Sequence, residues 1–509
     1  MGKIRKMLMG QSFIKGAAIL VVAGMITRAL GFVYRIYLSN YIGAEGMGLI
    51  ALTAPVYSLI ILTLTSGVSI AVSRLVAQEK ARGNTCNLGR ITKMAALVVG
   101  FGGLVAALCL WGAGHLVANV LLKDSRTYLS LMALVPCIPI VACQSAVKGY
   151  FYGTQKVTPN AVANIIEQLV RIGFVLLLLQ FAMGMGLEYT CALVTVGSAV
   201  GEMFNLGVVY VAYVFDRRKT TRQGVLMRKR DVGKQIGSIA LPVSATRFLT
   251  SIMGTVEAIL IPRRLLAGGL DYTASLEALG RLSGMVSPLI FFPTFITSAL
   301  STTLVPAISE AVALKNYPLA NHRISRSLQL SFTMGFVCMA VFFSFPHEIG
   351  ALLYAKENIG SMLYVMSFTC IFVYVQQTLI GILNGFNKQK EALVSSLCGD
   401  VIRIGFVWFA VPFYGISGYV AGMIASSVVV CLLNLRMIMK TTGMSLPLRK
   451  WIIKPGLVFG AMALLAEPIR RVALLVPVAA KLQTVLMVGL QLLIAVLVVY
   501  KSPENSYAS

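Results

Sequence analysis

The chain has 509 residues, 57% of them hydrophobic and 12% charged, and a mean hydropathy of +0.82. Soluble domains carry about 25% charged residues, so the composition excludes a soluble enzyme or binding module and specifies a polytopic membrane protein. The formal charge of +26 is scattered through short connections between apolar runs, as the positive-inside rule produces, and forms no compact basic module of the kind that binds nucleic acid.

Apolar runs of spanning length fall near 13–38, 49–73, 91–113, 128–152, 160–181, 189–214, 236–262, 282–306, 327–346, 361–385, 392–413, 416–439, 452–466 and 473–500. They predict fourteen transmembrane helices in an all-α fold. Lys3, Arg5 and Lys6 precede a first run too long for a signal peptide, so it is expected to stay as helix 1. Within that run Gly24, Arg28, Gly31 and Arg35 are spaced 4, 3 and 4 apart and share one helical face. An arginine at mid-membrane costs at least about 2.5–3.5 kcal/mol and faces a partner or a water-filled cavity. The stripe therefore suggests a transporter for a bulky anion.

Lysine and arginine concentrate in alternate connections: the N-terminus, Arg74–Lys93, Lys148–Lys156, Arg217–Lys234, Lys315–Arg326, Lys388–Lys390, Arg436–Lys454 and Lys501. Connections 39–48, 182–188 and 412–416 hold none, which predicts that both termini are cytoplasmic. The basic segment with Arg217-Arg218-Lys219 and Arg228-Lys229-Arg230 reads as a linker held at an anionic leaflet, or as a docking site for a partner. Nine cysteines lie mostly within apolar runs with no C-x-x-C among them and read as small buried hydrophobes.

An internal repeat sets the architecture. At an offset of 232, Glu45-x-x-Gly48 becomes Glu277-x-x-Gly280, Ser66 becomes Ser298, Asn84 becomes Asn316, His115 becomes His347 and Gln144 becomes Gln376. Gly149, Gly153 and Lys156 become Gly381, Gly385 and Lys388, and Arg171-Ile-Gly-Phe-Val175 becomes Arg403-Ile-Gly-Phe-Val407. Six helices separate the copies, so they share orientation: two parallel six-helix bundles related by a pseudo-two-fold along the membrane normal. The expected organisation is an N-terminal bundle (1–215), a basic cytoplasmic linker (216–235), a C-terminal bundle (236–440), and helices 13 and 14 with a cytoplasmic tail (441–509). Substrate is expected between the bundles, under alternating access.

Membrane charges divide by their repeat equivalents. Glu167 and Arg171 (i, i+4), like Asp400 and Arg403 (i, i+3), can neutralise one another along their own helices or line a cavity. Arg28 corresponds to Leu260, Arg35 to Ala267, and Glu257 to Met25, so the scaffold does not require these charges. Arg28 is the leading cavity residue, pairing with Glu257 being its structural alternative. Arg35 either lines the cavity or snorkels. Lys15 and Arg247 are repeat equivalents that either anchor helix ends or rim an inward-facing cavity. Glu167, Asp400 and the locally unpaired Glu202 are the candidates for ion coupling. No nucleotide-binding loop, catalytic triad or metal-ligand motif stands out. The expectation is a transporter without catalytic residues, metal or cofactor, driven by membrane potential or a monovalent cation.

The run Thr27-Arg-Ala-Leu-Gly-Phe-Val-Tyr-Arg35 through Glu45-Gly-Met-Gly-Leu49, with Ser66-Gly-Val-Ser-Ile-Ala-Val-Ser-Arg74, resembles the stage V sporulation protein B family. That family lies among the polysaccharide exporters of the multidrug/oligosaccharidyl-lipid/polysaccharide flippase superfamily. The resemblance covers essentially the whole chain and implies a six-plus-six-plus-two layout in a bacterial cell membrane. Relatives in that branch include flippases of undecaprenyl-pyrophosphate-linked peptidoglycan precursor, whose Ser/Thr-Arg-x-Leu-Gly-Phe segment gives an arginine to a cationic cavity. Thr27–Phe32 matches it, which puts that role on Arg28. Their next helix-1 arginine corresponds to Tyr34 here. The resemblance implies a flippase for a lipid-linked glycan such as the spore-cortex precursor, with membrane lipids and peptidoglycan synthases as further partners and no nucleic acid. The alternatives are a cation-coupled multidrug antiporter using Glu167, Glu257 and Asp400, and a non-transporting scaffold for peptidoglycan synthesis.

Overall fold

The computed structural model describes residues 2–182, 184–221, 223–444, 447, 449–475 and 479–500, with side chains between 18 and 473 and between 479 and 497. The side chain of Lys15 and the tail 501–509 lie outside the described residues. Helices make up nearly all of the described chain, and no strand occurs among the described residues. Two compact units divide it: residues 1–35 with 48–259, and residues 36–47 with 260–509. The repeat halves and these units are cut at different places, because α1 (Gly2–Ala81) contributes to both.

The first unit continues with α2 (Thr85–Leu116), α3 (Thr127–Leu134), α4 (Cys137–Thr154), α5 (Thr158–Leu179), α6 (Leu187–Lys219) and most of α7 (Lys229–Ala267). The second unit holds the end of α7, α8 (Tyr272–Gly280), α9 (Ser287–Phe291), α10 (Thr294–Ala313), α11 (Tyr317–Ser344), α12 (Pro346–Leu353) and α13 (Gly360–Ser367). It is completed by α14 (Thr369–Gly385), α15 (Gln389–Phe409), α16 (Val411–Thr442), α17 (Lys454–Leu475) and α18 (Ala480–Tyr500). Among the described residues twelve helices are long and apolar enough to cross a membrane, thirteen when the pair α13–α14, bent by 49°, counts as one span. The first, Ala18–Ala81, has 64 residues, about 96 Å at 1.5 Å per residue. It holds two spans, which brings thirteen to the fourteen expected.

Two expected boundaries are corrected. Connection 39–48 is helical, broken only at Gly43 (φ 71°, ψ −176°). Within the second unit this break is held by side chains distant in sequence. Asn40 Nδ2 donates to Leu353 O (2.7 Å), and Ala44 N donates to Glu357 Oε1 (2.9 Å). Arg281 then ties Glu357 (2.9 Å) to Glu277 (3.0 Å). The run expected at 282–306 is instead a π-helical turn Arg281–Val286, which follows directly on α8, then α9 and α10. Pro288 and Pro293 each remove a backbone donor and break the ladder there.

The 232-residue offset also holds in three dimensions. Gly83 and Lys315, and Gln155 and Asn387, are equivalent positions, and all four adopt positive φ. Gly149 abuts Ser69 as Gly381 abuts Ser301, and Gly153 abuts Val76 as Gly385 abuts Ile308. Each leaves no room for a Cβ, so α4 in the first unit and α14 in the second approach their neighbours through the same small residues. Apolar clusters centred on Ala71, Val72, Ala146 and Tyr150, and on Ile308, Leu328, Leu379 and Ile382, fill the two interiors.

In the basic linker α6 runs to Lys219 and α7 starts at Lys229, so among the described residues only 220–221 and 223–228 are non-helical. This segment lies along the α1–α2 turn. Cys86 N donates to Gln223 O (3.1 Å) and Gln223 N to Thr85 Oγ1 (2.9 Å). Asn87 Nδ2 donates to Glu79 (2.6 Å) and Val225 O (3.0 Å), and its Oδ1 accepts from Met227 N (3.0 Å).

Candidate functional site

The first unit gathers a polar network where its interior would otherwise be apolar. Spacings of 3 and 4 put Asn164, Glu167 and Arg171 on one face of α5, Gln144 and Lys148 on one face of α4, and Glu202 and Asn205 on one face of α6. Helices α5 and α6 come close because Gly201 lies against α5: a Cβ there would sit 3.0 Å from Glu167 O and 3.3 Å from Arg171 Cβ. That approach brings the polar faces into register. Arg171 pairs with Glu167, and Asn205 Nδ2 donates to Glu167 Oε2 (2.6 Å) and to Asn164 Oδ1 (3.1 Å). Lys148 Nζ donates to Asn164 Oδ1 (3.1 Å), and Gln144 Nε2 donates to Glu202 Oε2 (3.1 Å).

Two carboxylates thus face two cations, and the amides of Asn164, Asn205 and Gln144 fill the remaining positions. A buried charge is tolerated when it is paired and hydrogen-bonded in this way. From α1, Gly31 faces Gln168: a Cβ there would sit 3.4 Å from Gln168 Nε2. The Tyr34 hydroxyl and Arg171 Nε are buried without a hydrogen-bond partner among the described residues.

The second unit carries a reduced version. Arg403 pairs with Asp400 at 2.9 Å. Ile380, Ser396 and Met437 stand where the first unit has Lys148, Asn164 and Asn205, and Asn434 stands for Glu202. Of the other sequence candidates, Glu257 is buried on α7, where nearby Thr255 donates to Pro55 O (3.1 Å). Arg28, Arg35 and Arg247 are exposed. Neither Arg28 nor Arg247 forms an ion pair or side-chain hydrogen bond among the described residues, so the alternative pairing of Arg28 with Glu257 is not formed. Glu167, Arg171 and Glu202 are brought together, whereas Asp400 and Arg403 lie in the second unit. Sequence reasoning missed Lys148, Asn164 and Asn205 as members of the network: their spacing from Gln144, Glu167 and Glu202 puts each on a shared helical face, but does not say which faces meet.

With this geometry in place, the likeness to known proteins is informative. The family described as "Polysaccharide biosynthesis protein" matches residues 13–312, and the MatE family matches 264–409. The chain is 31% identical to stage V sporulation protein B of Bacillus subtilis (strain 168), over 87% of this chain and 86% of that protein. It is 25% identical to the lipid II flippase MurJ of the same organism, over 78% and 77% of the two chains. A solved structure of lipid II flippase MurJ in an inward closed conformation superposes with a TM-score of 0.69 at 14% identity, covering 94% of this chain and 98% of that one. At that identity the superposition shows the fold alone.

Proposed function

Because this chain belongs to the polysaccharide biosynthesis protein family, we propose that it is a flippase carrying a lipid-linked anionic glycan across the membrane by alternating access. The substrate class best supported is an undecaprenyl-pyrophosphate-linked peptidoglycan precursor, in a sporulating cell the precursor of the cortex. The relatives' printed names support the direction of this reading, since one is a sporulation protein and one a lipid II flippase.

One observation carries it. In the first unit Arg171 and Lys148 are engaged by the network, whereas Arg28 and Arg247 are exposed with no counter-charge among the described residues. An exposed arginine on a membrane-spanning helix is maintained only where water or an anion reaches it. A guanidinium offers the planar, multi-donor head that a pyrophosphate accepts. Moving such an anion outward from a negative interior is favourable by about 2.3 kcal/mol per charge per 100 mV. Membrane potential is therefore the proposed driving force, with both termini cytoplasmic. The antiporter alternative would use membrane carboxylates for a cationic drug. Glu167 and Glu202 are already engaged by Arg171, Asn205 and Gln144, which weighs against it.

The test is translocation of labelled precursor in cells lacking other flippases. Arg28→Ala is expected to lower it by about tenfold or more, the size of one lost charge-assisted contact, with normal protein levels. Wild-type translocation by that variant overturns the assignment.

A further inference from the structure

A second feature lies in the other unit and is not explained by the proposed transport path. The α15 residues Ile402, Gly405, Phe406, Phe409 and Ala410, with Tyr414 of α16, line a groove of about 470 Å³. That volume is within the range of about 300–1,000 Å³ typical of ligand sites, and each of these side chains is apolar except for the Tyr414 hydroxyl. Gly405 has open space where a Cβ would be. At the α15–α16 turn the aromatic side chains of Trp408, Phe409, Phe413 and Tyr414 are all exposed, as in the aromatic belt of a membrane interface.

The end of α7 brings a cation to this turn. Arg264 donates from Nε (3.0 Å) and Nη2 (2.8 Å) to Trp408 O, and its guanidinium lies 4.3 Å from the centroid of the Trp408 ring. Gly268 packs against Pro412 so closely that a Cβ would clash, which seats α7 on the turn. Arg264 has no carboxylate partner among the described residues, and its other N–H groups remain available. The repeat equivalents of Arg264, Trp408 and Tyr414 are Phe32, Leu176 and Ala182, so the cation, the indole and the phenol belong to the second copy of the repeat and not to the first.

We propose that this turn binds one anionic membrane phospholipid, with a hydrocarbon chain in the α15 groove and its phosphate on Arg264. The occupant is committed by two complementary parts: an apolar slot open to the bilayer, and a fixed guanidinium at its interfacial end. A free phosphate would leave the slot unfilled, and a neutral lipid would leave Arg264 without an anion.

The test uses the purified full-length chain equilibrated with phosphatidylglycerol or with diacylglycerol in detergent and examined by native mass spectrometry. Wild type is expected to hold phosphatidylglycerol about tenfold better than diacylglycerol, the factor a charge-assisted hydrogen bond carries. Arg264→Gln should collapse that ratio while Arg264→Lys keeps part of it. Gly405→Leu, which fills the groove without touching Arg264, should release one bound phosphatidylglycerol per protein with an unchanged melting temperature. An unchanged ratio in Arg264→Gln, or wild-type retention in Gly405→Leu, overturns the proposal. So does displacement of the lipid by millimolar glycerol phosphate, which would mark a soluble-anion site. If Arg264→Gln does not fold, Gly405→Leu decides alone.

Discussion

Individual residues show how the chain treats charge inside a membrane. Arg171 is held by Glu167, and Glu167 is also held by Asn205. The pair is partly buried, with side-chain exposures of 24% and 15%, so leaving one partner uncompensated costs about 1–3 kcal/mol, below the figure for a fully buried pair. Glu167→Gln and Arg171→Gln are each expected to lower the melting temperature in detergent, and the double variant should lose less than the two together. Additive losses would show that the pair is not coupled. These two residues were legible in the sequence because they sit i, i+4 on one helix. Their partners on α4 and α6 were not, since nothing in the sequence alone says which faces of three helices meet. Gly201 decides that meeting, and a glycine in an apolar run is an ambiguous signal. Arg28 stood out in the sequence for a different reason: its equivalent, Leu260, shows that the fold does not need it.

Among the elements, helix boundaries departed from expectation where local chemistry was overridden by distant partners. The stretch Ser39–Gly48 is polar and glycine-rich enough to read as a loop, yet two helices meet at Gly43 because Glu357, held by Arg281, accepts from Ala44 N while Asn40 donates to Leu353 O. Run 282–306 failed as one helix because Pro288 and Pro293 lie within it, and both were visible in the sequence. The linker segment is the opposite case, a non-helical stretch held by the α1–α2 turn, chiefly through Asn87. Asn87 engages Glu79, Val225 and Met227. Asn87→Ala leaves those groups unmatched at a cost of about 1–3 kcal/mol. Trypsin cleavage among Arg228, Lys229 and Arg230 is expected to rise by roughly tenfold where local opening limits cleavage. A cleavage rate equal to wild type would mean that the ladder does not restrain the linker.

Across the whole molecule, the fourteen-span layout was legible because hydropathy and the 232-residue offset are global signals that survive local irregularity. The repeated close approaches of Gly149 and Gly381 are the same signal read in packing. Orientation is the matching prediction. With both termini inside, single cysteines in a cysteine-free background at 186 and 226 should behave oppositely. A membrane-impermeant maleimide applied to intact cells should label the first and spare the second. The reverse labelling would invert the proposed topology.

The break at Gly43 has a consequence for biogenesis. Asn40 and Ala44 bond to residues 313 positions later in the chain. At about 5–20 residues per second, these groups wait roughly 15–60 s during synthesis before their partners exist. Helix α1 must therefore enter the bilayer with its central joint unfinished. Variants at Asn40 or Glu357 should consequently impair assembly of the nascent protein more than the stability of protein already folded.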